Sequence, residues 1–177
     1  GAYFLMSLPA GRLVAAVGYK KGIVAGLAIA GAGALMFWPA AGLHSYPLFL
    51  GALFVLATGI TVLQVAANPY VALLGPEKTS HSRLTLAQSM NSLGTTVAPL
   101  FGGLLILAAA PRTASELAAM PAAEAIAYRA QEAQSVQGPY LGLAVTLFVL
   151  AVVVMAFRLP AIRGVEDVAQ DQRHGIR

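Results

Sequence analysis

The 177-residue chain has no cysteine, which removes disulfides, a thiol nucleophile and thiolate metal sites from consideration. Charge is scarce as well. Only 10% of residues are charged, against about 25% in a soluble domain. No Asp, Glu, Lys, Arg or His lies deep within an apolar run. That excludes a buried acid pair and leaves the serines Ser89 and Ser92 without a visible base. His44, His81 and His174 are too scattered to form a local ligand set. An intramembrane enzyme therefore has little to work with, and no cofactor or metal is expected.

What the chain has in abundance is hydrocarbon. Hydrophobic residues make up 58%, and several stretches reach or exceed the roughly 20 residues a spanning helix needs. The expected fold class is an all-α membrane protein. Five segments stand out, over about Ala2 to Val17, Gly22 to Ala41, Pro47 to Leu74, Leu84 to Ala110 and Tyr140 to Leu159. Pro9, Pro69 and Pro99 fall inside them, which spanning helices tolerate when neighbours re-satisfy the backbone. Gly1 is not a start Met and the first run begins at once, so the chain reads as an internal piece of a longer protein.

The basic residues alternate from link to link. Arg12, Lys20, Lys21, Lys78, Arg83, Arg158, Arg163, Arg173 and Arg177 fall on one side, and only Arg112 and Arg129 of the eleven fall on the other. The rich side is expected to be cytoplasmic, which supports five crossings. It also explains a net charge of +4 without nucleic acid. The Ala- and Glu-rich stretch 111–137 reads as an extracytoplasmic loop with one or two short amphipathic helices, and 160–177 as a polar cytoplasmic linker.

Four amides interrupt the apolar runs. Gln64 and Asn68 are spaced i,i+4 on one helix face. Gln88 and Asn91 head the fourth run, where they share a polar arc of roughly 160° with Thr85, Ser89, Ser92, Thr95 and Thr96. An amide is costly in hydrocarbon unless it finds partners, so polar residues at depth usually face a bundle interior or a watery cavity. Interhelical hydrogen bonding is the competing reading for the arc. Asn68 could instead satisfy the carbonyl freed by Pro69. Uncharged amides offer donors and an acceptor in one plane, which suits vicinal hydroxyls. The residues thus point to a carrier of a neutral, hydroxyl-rich solute. The second run carries Gly22, Gly26, Ala30 and Ala34 at four-residue spacing, a stripe that lets helix backbones approach closely. Trp38 and Tyr46 read as interfacial anchors. The ring of Tyr3 has no assigned role.

The run LQVAANPYVALLGPEKTSHSRLTLAQSMNSLGTTVAPLFG resembles sugar transporters of the fucose:proton symporter family, within the major facilitator superfamily, which includes glucose/galactose transporters. AANPY, LGPE, Arg83-Leu84 and AQSMNSLG carry most of the match. The stretch PAGRLVAAVGYKKG resembles the superfamily's cytoplasmic loop after the second helix, with Ala15 where the general pattern has Asp.

The resemblance implies that residues 1–159 are helices two to six of twelve, a partial N-terminal six-helix bundle. The first helix and the C-terminal half would be partners supplied by the same transporter. It implies transport of a hexose or deoxyhexose of the glucose, galactose or fucose type across a plasma membrane, in bacteria the inner membrane. Transport would be by alternating access with cation coupling, and the lipid bilayer would be the surround. Gln64, Asn68, Gln88 and Asn91 are the expected sugar ligands, and Lys20, Lys21 and Arg83 the expected cytoplasmic gate or headgroup anchors. Members of the family can have a proton-coupling acid at the position of Gln64. Gln still bonds hydroxyls there, and the coupling ion, proton or sodium, stays open. A carrier of another neutral solute, such as a polyol or nucleoside, is the alternative.

Overall fold

The computed structural model describes residues 2–43, 45–106, 114–135 and 137–157. Among these are seven helices and no strand: α1 (Ala2–Val17), α2 (Tyr19–Gly42), α3 (Tyr46–Leu73), α4 (Ser80–Ile106), α5 (Ala114–Ala119), α6 (Ala122–Ser135) and α7 (Gln137–Ala156). A 3₁₀ turn at Glu77–Thr79 leads into α4. The five long apolar runs correspond to α1, α2, α3, α4 and α7. Their bounds differ from the hydropathic ones. The second run's helix begins at Tyr19, the fourth at Ser80 and the last at Gln137. Hydropathy breaks at the first polar residues, whereas the helical hydrogen-bond ladder continues through them. Residues 107–110 and the linker at 160–177 lie outside the described residues, as do Arg112, Arg158, Arg163, Arg173 and Arg177.

Helices α2, α3 and α7 are long and apolar enough to cross a membrane. Helix α4 has the length, 27 residues, but its polar arc lowers its hydropathy. Helix α1 has 16 residues. The expected loop holds the two short helices α5 and α6, and α6 packs against α2 and α7.

The core is centred on α2, which packs on α3 along one side and on α7 along another. Gly22, Gly26, Ala30 and Ala34 are all buried, so the small-residue stripe is a packing surface. A Cβ built on Gly59 of α3 would collide with the backbone N of Ala30. Only a glycine lets the two backbones meet this closely. Phe37, fully buried, seals one end of the interface. Its ring meets Phe49 edge-on at 4.7 Å and stacks on Tyr140 at 3.8 Å.

The opposite end gathers the basic links. Tyr19 at the start of α2 lies 6.2 Å from Tyr70 near the end of α3. Lys20 Nζ donates to the carbonyls of Met155 (2.9 Å) and Phe157 (2.8 Å) at the end of α7. A helix C-terminus leaves carbonyls without intrahelical partners and carries partial negative charge, and the ammonium meets both needs.

Candidate functional site

Helix α3 has two working faces. Gly59, Val62 and Ala66 are buried, on the core side. Gln64 and Asn68 are half-buried and border a cavity of about 320 Å³, whose wall is Tyr3, Gln64, Asn68, Ala87, Gln88 and Asn91. All four sequence-predicted amides meet here, drawn from α3 and α4, and α1 adds Tyr3. The volume lies at the lower end of small-molecule pockets, which run from about 300 to 1,000 Å³. The lining has no ionisable group other than the Tyr3 phenol.

Helical rise gives the depth. Gln64 lies about 13 Å along α3 from its basic end, and Gln88 and Asn91 lie about 12 and 16 Å along α4. A hydrocarbon core is about 30 Å thick, so a basic helix end set at the edge of such a core would put these three amides near its middle. Asn68 is about 7 Å from the basic end.

Three of the five hydroxyls in the polar arc of α4 bond back to their own helix. Ser89 Oγ donates to the Thr85 carbonyl at 2.9 Å, and Thr95 and Thr96 donate to the Ser92 carbonyl at 2.8 and 2.9 Å. Thr61, on the Gln64 side of α3, donates to Ala57 at 2.8 Å. Hydroxyls are short enough to reach the carbonyl one turn back. Amides project further, and Gln64, Asn68, Gln88 and Asn91 make no side-chain hydrogen bond among the described residues. Asn68 therefore does not satisfy the backbone break at Pro69. No buried side-chain N or O among the described residues lacks a partner, and Gln88 and Asn91 are exposed. The arrangement presents donors and acceptors without charge to whatever fills the cavity.

The basic residues behave differently from one another. Arg83 Nε donates to Val71 O at 3.1 Å, Nη2 to Ala72 O at 2.7 Å and Nη1 to Pro76 O at 3.1 Å, and Nη1 also donates to Thr79 Oγ1. The guanidinium fork thus caps the end of α3 and ties it to the start of α4. Gly75 makes the turn possible, with φ of 140°. A Cβ there would lie 3.1 Å from Arg83 Nη1. Lys20 caps α7 in the same manner. Lys21 is exposed and makes no hydrogen bond among the described residues. Composition alone shows neither cap, because nothing local marks which carbonyls a cation will reach.

Comparison with known proteins speaks to the family and the fold. The Major Facilitator Superfamily model matches residues 1–173. A glucose/galactose transporter of Brucella abortus is 50% identical over 175 residues, covering 99% of this chain and 39% of that protein. An L-fucose-proton symporter of Escherichia coli is 40% identical over 174 residues, covering 98% and 39%. A crystal structure of the E. coli fucose:proton symporter superposes with a TM-score of 0.83 at 40% identity, over 90% of this chain and 39% of that one. A second, of that transporter in the outward conformation, gives 0.82 at 41% identity, over 91% and 39%. The chain thus spans about two fifths of the length of these relatives. Its apolar helices, their packing and these matches together place it: the chain belongs to the Major Facilitator Superfamily.

Proposed function

We propose that this chain forms one wall of the sugar site of a hexose transporter, as helices two to six of a twelve-helix protein. The observation that carries this reading is the uncharged cavity with four amides that have no side-chain hydrogen bond among the described residues. Gln64, Gln88 and Asn91 hydrogen-bond the sugar at mid-membrane depth, and Asn68 contacts it from the basic side. The relatives named for glucose/galactose and for fucose with a proton support a pyranose sugar and proton symport. They are transporters, which leaves an intramembrane enzyme without support.

The first helix and the C-terminal half of the same protein complete the cavity, and the two halves rock about it. In this reading α5 and α6 face the extracytoplasmic side. Lys20 and Arg83 hold helix ends at the cytoplasmic gate, and Lys21 meets headgroups of a bacterial inner membrane.

The test is uptake of labelled glucose, galactose and fucose by proteoliposomes of the full-length protein, with and without an inward proton gradient, beside Gln64→Glu. The expected outcome is uptake of glucose or galactose. Accumulation driven by the gradient in the unaltered protein assigns the proton carrier to a group other than Gln64. Equilibration without accumulation, with gradient drive acquired by Gln64→Glu, makes Gln64 the uncoupling residue. Uptake of a polyol or nucleoside and of no sugar overturns the substrate class.

A further inference from the structure

We propose that Tyr3 is the aromatic platform of this site, stacking its ring on the C–H face of a pyranose whose hydroxyls the amides hold. The proposal rests on the sugar-site reading above and adds a different kind of contact. Hydrogen bonds alone recognise hydroxyls, which acyclic polyols share. A pyranose ring also presents a patch of C–H groups. Their slight positive charge suits the negative face of an aromatic ring.

Three observations single out Tyr3. It is the one aromatic residue in the cavity wall, facing the same space as Gln64, Gln88 and Asn91. Its ring is free. The pairs Tyr19 with Tyr70, Phe37 with Phe49 and Phe37 with Tyr140 use other rings against each other, whereas Tyr3 has no ring or hydrogen-bond partner among the described residues. Its depth is wrong for an interfacial anchor. Tyr3 lies about 21 Å along α1 from the basic end, well inside a hydrocarbon core about 30 Å thick. Tyr46, by contrast, is the first residue of α3 and Trp38 lies in the last turns of α2, both far from the basic end. The amides of α3 and α4 lie closer to the basic end than Tyr3 does, so a sugar on the amides has the ring on its outer side.

The test is counterflow of labelled glucose and galactose in liposomes holding the full-length protein, comparing Tyr3→Phe, Tyr3→Leu and Tyr3→Ala. Stacking predicts that Tyr3→Ala and Tyr3→Leu raise KM about fivefold or more, with maximal rate changed far less, while Tyr3→Phe recovers most of the loss. Leu keeps apolar bulk without a π face, so it also separates stacking from packing if the Ala variant fails to insert. Phe as weak as Ala would show that the hydroxyl matters, and Leu as good as Phe would show simple packing. Either result, or no change in any variant, overturns the platform. Gln88→Ala in the same assay separates the two readings. If it raises KM while Tyr3→Ala does not, the sugar site stands and the platform falls. If neither raises KM, the sugar site itself falls.

Discussion

Helices α2 and α4 are close in length, 24 and 27 residues, yet they solve opposite problems. Helix α2 is lined with Gly and Ala and contributes ten buried residues, all of them apolar or glycine. Helix α4 contributes no buried residue among those described and carries its amides on an open face. In hydrocarbon the apolar effect does not draw helices together, so close backbone packing must. Helix α2 supplies that packing. Helix α4 can then hold free polar groups, because α2, α3 and α7 form the core without it. Helix α3 belongs to both regimes, with Gly59 and Ala66 toward α2 and Gln64 and Asn68 toward the cavity.

The contrast breaks most severely at the α2–α3 contact. Gly59→Leu must push the backbones apart, and a loss of about 3 kcal/mol or more is expected, enough to abolish folded protein. Gly94→Ala on α4, where a Cβ would meet nothing within 4 Å, should shift stability by less than about 1 kcal/mol. Yield and thermal midpoint of the full-length protein in detergent measure both. Equal losses from the two would refute the division of labour.

Next in size is the cavity. Gln88→Ala and Asn91→Ala should each weaken sugar binding about ten- to a hundredfold, since a sugar hydroxyl loses its partner. Thermal stability should hardly change, because neither amide bonds the described protein. Calorimetric titration with a melting curve reads both. A fall in stability as large as the fall in affinity would mean that the amides hold the bundle together instead.

A smaller effect concerns Arg83. Arg83→Lys keeps the charge but loses the fork that reaches Val71, Ala72 and Pro76, and should cost about 1–2 kcal/mol. Cysteine cross-linking between the ends of α3 and α4 should loosen accordingly. An unchanged melting curve and cross-linking pattern would reduce the fork to a surface contact.

The amides were legible because a polar group in an apolar run stands out wherever it occurs. The i,i+4 spacing of Gln64 and Asn68 already assigned them one face. The arc of α4 was legible as a whole, but not that Ser89, Thr95 and Thr96 bond back to the helix while the amides, among the described residues, do not; that depends on side-chain reach. Tyr3 was not legible, since a tyrosine suits a core, an interface or a cavity. Arg83 and Lys20 read as gate or anchor, and the bonds each makes to carbonyls at a helix end were not legible.

Sequence by itself determined the membrane class, the apolar runs, their alternating basic links and the uncharged polar groups within them. These follow from transfer costs that each residue incurs locally. Tertiary structure alone decided which groups share a space. Lys20 meets Met155 across 135 positions of chain, and Tyr3, Gln64 and Asn91 from three helices line one cavity. Such meetings are set by how closely Gly and Ala let the helices approach, and no local cost along the chain encodes them.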